Sequence, residues 1–127
     1  MPSVSMSMPI LIVDDYNTMI RILRNLLRQL GFTNIDEASD GRTALAKLSA
    51  KDYALVISDS SMSPMSGVEL LERVRADERT KATPFVMVGD NADDQLANGS
   101  GVSSLLKPFN ATVLETKIGA AMAGKAH

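Results

Sequence analysis

The chain has 127 residues, with 13 Lys and Arg against 15 Asp and Glu and a formal charge of −2, so it is long enough for one hydrophobic core and offers no basic field to a nucleic acid. Hydrophobic residues at 45% and charged residues at 22% are globular proportions that argue against disorder, a collagen-like repeat or a membrane protein. No cysteine is present and the one histidine, His127, is the last residue, which excludes disulfides, thiolate catalysis and cysteine zinc sites and leaves any histidine chemistry to a partner.

A Ser/Met/Pro-rich head, residues 1–8, reads as flexible. The run Ile10-Leu11-Ile12-Val13 is short and mostly β-branched, and it stops abruptly at Asp14-Asp15, as a buried parallel strand does. It is also too short to cross a membrane, and no secretory pattern precedes it, so the cytoplasm is the expected location and membrane insertion is not. From Asn17, the residues Met19, Ile22, Leu23, Leu26, Leu27 and Leu30 mark one face of a helix that Gly31 ends. A weaker strand over residues 34–38 leads to Asp40, placed to cap a helix that carries Ala44, Leu45 and Leu48 on one side.

The third strand, residues 54–58, again ends in an aspartate, Asp59. Ser66 and Glu69 form a capping-box pattern, which predicts a third helix from Gly67. Phe85 to Val88 is the fourth strand. The polar stretch between Gly89 and Gly101 holds Leu96 as its one large apolar residue, so a fourth helix there is short and weakly anchored. Ser104 to Leu106 is a brief fifth strand, and Asn110 caps a last helix with Leu114, Ile118, Ala121 and Met122 on one face. Alternating strands and helices predict a doubly wound α/β fold, a five-stranded parallel sheet with helices on both faces. Residues 9–123 form this one domain, and 124–127 are a tail.

In such sheets ligands bind beyond the carboxyl ends of the strands. Asp14 and Asp15, Asp59 and Lys107 each follow a strand, and all reach that edge. Taken singly, an Asp pair after a strand is often a helix cap, Asp59 a turn residue and Lys107-Pro108 a loop. Together they bring three carboxylates and an ammonium to one place. Crowded carboxylates need a cation, and hard oxygen ligands suit Mg²⁺. With a metal and a lysine to balance charge, one carboxylate can act as nucleophile toward a phosphoryl group.

The stretches Leu11 to Asp15, Leu55 to Asp59, Met62 to Gly67 and Lys107-Pro108-Phe109 resemble the receiver domains of two-component response regulators, closest to the single-domain chemotaxis regulators of alphaproteobacteria. The resemblance implies strand order 2-1-3-4-5, Asp59 as phosphoacceptor and a histidine kinase as donor. It also implies Mg²⁺ held by Asp14, Asp15, Asp59 and the Ser61 carbonyl, Lys107 on the phosphoryl oxygens, and a cis Lys107–Pro108 bond. Such a protein is not an enzyme with a separate substrate, since it promotes only its own phosphotransfer and dephosphorylation. Its output is contact with another protein, such as a flagellar motor component.

Two switch positions depart from the family pattern. Gly89 stands where a Thr or Ser hydroxyl is usual and Ser104 where an aromatic ring is usual; Ser60 replaces a frequent tryptophan, which opens the site. The region 89–107 is also about one helical turn shorter than in relatives. These departures leave a second reading open, a degenerate receiver that acts as a phosphorylation-independent binding module or a phosphate sink. A Mg²⁺-dependent aspartyl phosphatase would want a second aspartate at position 61, where Ser61 stands. A nucleotide or flavin site would want a glycine-rich loop in place of Asp14-Asp15-Tyr16. Met62 and Met65 read as packing under the site, the group Asp90, Asp93 and Asp94 as a solvated acidic face, and Arg21, Arg24 and Arg28 as the outer side of the first helix.

Overall fold

The computed structural model describes residues 5–90 and 101–123. Five strands, β1 (Ile10–Val13), β2 (Ile35–Ala38), β3 (Leu55–Asp59), β4 (Phe85–Gly89) and β5 (Val102–Leu106), alternate with four described helices, α1 (Asn17–Gln29), α2 (Gly41–Ala50), α3 (Gly67–Ala76) and α4 (Ala111–Ala123). All strand pairs are parallel, in the order β2-β1-β3-β4-β5. This is the expected doubly wound α/β sheet. The short fourth helix of the sequence reading lies outside the described residues.

Alternation along the strands sorts the core into two layers. Ile10, Ile12, Leu55, Ile57, Val86, Val88 and Leu105 face α1 and α4, where they meet Leu23, Leu27, Leu114 and Ile118. Leu11, Val13, Val56, Phe85 and Met87 face α2 and α3, where they meet Ala44, Leu48, Leu70 and Val74. A strand buried on both faces has no use for a polar alternation, which is why β1 and β3 read as near-continuous apolar runs.

The helix termini follow their local chemistry. The Asp40 carboxylate accepts from the Thr43 amide at 2.7 Å to start α2. Ser66 and Glu69 cap α3 reciprocally, each side chain accepting from the other's amide at 3.1 Å, and Asn110 Oδ1 accepts from Val113 N–H at 2.9 Å to start α4. Beyond α1, Gly31 takes a φ of 105°, the left-handed turn that glycine adopts without a Cβ clash.

Two expectations need correction. Leu23 and Leu27 of α1 are buried and Met19, Leu26 and Leu30 pack beside them, as the sequence predicts. Ile22, assigned to the same face, is instead 42% exposed and Ile20 is buried in its stead, because Ile22 lies at the edge of the predicted arc that turns away from the sheet. Residues 5–8, assigned to a flexible head, are tied down. Met8 is buried in the core beside α1, the Met6 carbonyl accepts from Thr33 N–H at 3.1 Å, and the Ser7 carbonyl accepts from the Asn34 amide at 3.2 Å. A segment without periodicity can still be fixed when one apolar side chain fills a gap at the edge of the core.

Candidate functional site

The site is set by register. Val13 pairs with Ser58, so Asp14 and Asp59 follow as neighbours at the carboxyl edge, at the point between β1 and β3 where strand order reverses. Oxygen atoms of Asp14, Asp15 and Asp59 lie within 4.8 Å of one another. Asp14 and Asp59 are buried and Asp15 is exposed, so the cluster is open to solvent on the Asp15 side. Lys107, which follows β5, places Nζ 3.2 Å from Asp59 Oδ1. The four charged residues singled out from the sequence are thus brought together.

Burial dominates the electrostatics. It raises the Asp14 carboxyl to about 6; the charges of Asp59 and Asp15 push the same way, while the Tyr16 N–H, donating to Oδ1 at 2.9 Å, and the Lys107 charge offset part of the rise. Burial likewise raises Asp59, against the opposing bond and charge of Lys107. For Lys107 burial disfavours the ammonium, but the Asp59 bond and the charges of Asp59, Asp90 and Asp14 outweigh it and hold the group above the ordinary lysine value. Asp14 Oδ2 is buried with no hydrogen-bond partner among the described residues. A buried carboxylate oxygen beside two more carboxylates fits a hard divalent cation, which would supply the missing ligand and the missing charge together.

The surrounding backbone approaches closely. Gly67 N–H donates to the Ser60 carbonyl at 3.0 Å, and a Cβ at Gly67 would collide with the Asp59 carbonyl oxygen and stand 2.8 Å from Ser60 Cα. Only glycine lets the start of α3 seat against the end of β3 without displacing Asp59. In the sequence Gly67 marks only a helix start and part of a motif; the need for a glycine there arises from this close approach. Ser60 is 7% exposed and its N–H donates to the Val88 carbonyl at 2.8 Å, so the small side chain that replaces a tryptophan is itself enclosed. Ser61 is exposed on the loop that follows.

At the β4 and β5 end, Gly89 is buried opposite Leu106, and Ser104 is half-buried opposite Met87. The Lys107–Pro108 bond is cis, as the resemblance implies, and Ser63–Pro64 is cis as well. Met62 is buried in the core on the α2 and α3 side, and Met65 packs against it, in line with their reading as packing. Arg24 forms an ion pair with Glu37 of β2 and so leaves the solvated face assigned to it. Asp90 Oδ1 lies 3.7 Å from Lys107 Nζ, a contact the sequence reading missed by grouping Asp90 with residues 93 and 94, which lie outside the described residues. The signal was available: in a two-residue repeat Asp90 falls in line with Val86 and Val88, and Lys107 with Leu105, on the side of the sheet that Asp59 continues.

A doubly wound sheet with a charged cluster at its switch point, in which a buried carboxylate is paired to a lysine beside two further carboxylates, has the groups that acceptance of a phosphoryl group requires. The chain belongs to the response regulator receiver domain family, whose model matches residues 10–119. Over 115 residues it is 50% identical to the chemotaxis protein CheY of Pseudomonas aeruginosa, covering 87% of this chain and 93% of that one. Among solved structures it resembles CheY4 of Vibrio cholerae, with a TM-score of 0.79 at 30% identity over 89% of this chain and 97% of the other. It also resembles the response regulator TrrA of Thermotoga maritima in complex with Mg(2+)-BeF, with a TM-score of 0.77 at 28% identity over 90% and 98%. The chain is therefore a receiver domain of the two-component class with chemotaxis proteins among its relatives. No helix among the described residues is long and apolar enough to cross a membrane.

Proposed function

We propose that the chain receives a phosphoryl group on Asp59 from a histidine kinase, with Mg²⁺ held by Asp14, Asp15, Asp59 and the Ser61 carbonyl, and passes the signal on by binding another protein in the cytoplasm. One observation carries this reading. Of the three clustered carboxylates, Asp59 alone is both buried and bonded to Lys107, at 3.2 Å. Its oxygen can therefore attack a phosphorus atom while Lys107 balances the charge on the transferred group. The new O–P bond forms as the P–N bond to the donor imidazole breaks, and the electron pair leaves with the imidazole nitrogen. A Mg²⁺ ion held by these residues would supply further charge neutralisation. Asp14 and Asp15 provide oxygens toward it, and the orphaned Asp14 Oδ2 supports that role.

The protein on this reading acts on itself and turns over no separate substrate. The unit that carries the activity is the domain of residues 9–123 together with Met8, which is buried in its core, and its output partner is a protein such as a flagellar motor component. Incubation with Mg²⁺ and a small phosphodonor should add one phosphoryl mass to the intact protein. Asp59→Asn should gain none, and Asp15→Ala should stay folded yet lose both metal binding and phosphorylation. Labelling of Asp59→Asn at the normal rate would place the acceptor elsewhere.

Gly89 and Ser104 favour a second reading, a binding module or phosphate sink whose contacts ignore phosphorylation. Equal affinity of the phosphorylated and unphosphorylated forms for a captured partner would select it.

A further inference from the structure

Lys107 has two carboxylates within reach, and register explains why. Gly89 lies opposite Leu106 in parallel strands, and Lys107 N–H donates to the Gly89 carbonyl at 2.9 Å. Asp90 and Lys107 therefore leave the sheet side by side. The ammonium stands 3.2 Å from Asp59 Oδ1 and 3.7 Å from Asp90 Oδ1. The Asp59 side chain is 8% exposed and that of Asp90 67% exposed, so water screens the Asp90 contact more strongly and its hold on Lys107 is the weaker of the two. Asp90 thus biases the position of Lys107 without determining it.

A phosphoryl group on Asp59 changes this balance. It adds negative charge and acceptor oxygens on the Asp59 side, so Lys107 is drawn there and the Asp90 carboxylate is repelled by the same charge. Gly89 has no side chain with which to hold the end of β4 against that repulsion. We propose that Asp90 is a positioning residue that shares Lys107 with Asp59 in the free protein and is released when Asp59 is phosphorylated, so that a carboxylate takes the part of the absent hydroxyl as the moving element at the end of β4. The proposal rests on the reading of Asp59 as phosphoacceptor. A bound group shifts a conformational equilibrium only through contacts that differ between the states, and the differing contact here is the Lys107–Asp90 pair.

Nuclear magnetic resonance on the full chain tests both halves, following the Lys107 side chain and the amides of Gly89 and residue 90. In the free protein, Asp90→Asn should shift the Lys107 Cε and Nζ resonances and Asp90→Glu should restore them; unshifted Lys107 signals in Asp90→Asn overturn the shared ammonium. With Mg²⁺ and beryllofluoride, the wild-type amides at 89 and 90 should move, and Asp90→Asn should show half that response or less. Equal responses in the two proteins overturn the release. Intact-mass measurement with a small phosphodonor runs alongside, and both proteins should gain one phosphoryl group. A wild-type chain that gains none overturns the phosphoacceptor reading and the release with it, while the Lys107 shifts in the free protein still decide whether the ammonium is shared.

Discussion

At the β1 and β3 end of the carboxyl edge every strand residue is buried, from Ile10 to Val13 and from Leu55 to Asp59, whereas at the β5 end only Leu105 of the stretch Val102–Leu106 is. The first region carries the carboxylates and packs between helices on both faces. The second carries Lys107 on an edge strand whose middle is Ser103 and Ser104. The difference separates a preorganised part of the site from an adjustable one: on the proposed function, carboxylates that share a cation or meet a phosphorus atom gain from fixed geometry, while Lys107, with two carboxylates in reach, gains from having two places to go.

The strongest way to break this comparison is at Gly67, which lets α3 seat beneath the preorganised part. Gly67→Ala should destabilise the fold by about 3 kcal/mol, since the added methyl meets backbone and not a side chain that could move aside. The Asp59 phosphorylation rate should fall with it. Urea denaturation and a phosphodonor time course check the two effects, and a stable variant phosphorylated at the wild-type rate would mean that the β3 end is not held by this approach.

Asp14→Asn sharpens the same comparison from the opposite side. Burial raises the Asp14 carboxyl from 3.8 to about 6, so the folded state binds its proton more readily than the unfolded chain. In metal-free protein the stability this provides is full below about pH 4 and is lost as pH rises to about 6. At roughly 1.4 kcal/mol per unit the rise corresponds to about 3 kcal/mol, and relaxation of the site brings the expected gain for Asp14→Asn at neutral pH to about 2 kcal/mol. The asparagine oxygen can keep the bond from Tyr16 N–H. Denaturation in a chelator from pH 4 to 7 should show a falling wild-type stability and a flatter curve for the variant; parallel curves would remove burial as the source.

The smallest effect should come from the adjustable part. Ser103 Oγ donates to the Lys117 carbonyl of α4 at 2.7 Å, and Ser103→Ala should cost about 1 kcal/mol, the worth of one such bond. Phosphorylation of Asp59 should be unchanged. If this variant slows phosphorylation as much as Gly67→Ala, the two regions are not separable.

The apolar runs ending in Asp14 and Asp59, the caps at Asp40, Ser66 and Asn110, and the convergence of Asp14, Asp15, Asp59 and Lys107 were all legible in the sequence. Each depends on chemistry local to a few residues: a strand buried on both faces must be apolar, a helix start needs an acceptor for its free amides, and a parallel sheet sends its strand ends to one edge. Tertiary structure alone decided that Ile20 and not Ile22 of α1 is covered, that Met8 completes the core, that Gly67 must lack a side chain, and how closely Asp90 approaches Lys107. These outcomes depend on distances between segments far apart in the chain, set by how helices seat on the sheet and how neighbouring strands end, and no pattern within a single segment encodes such a distance.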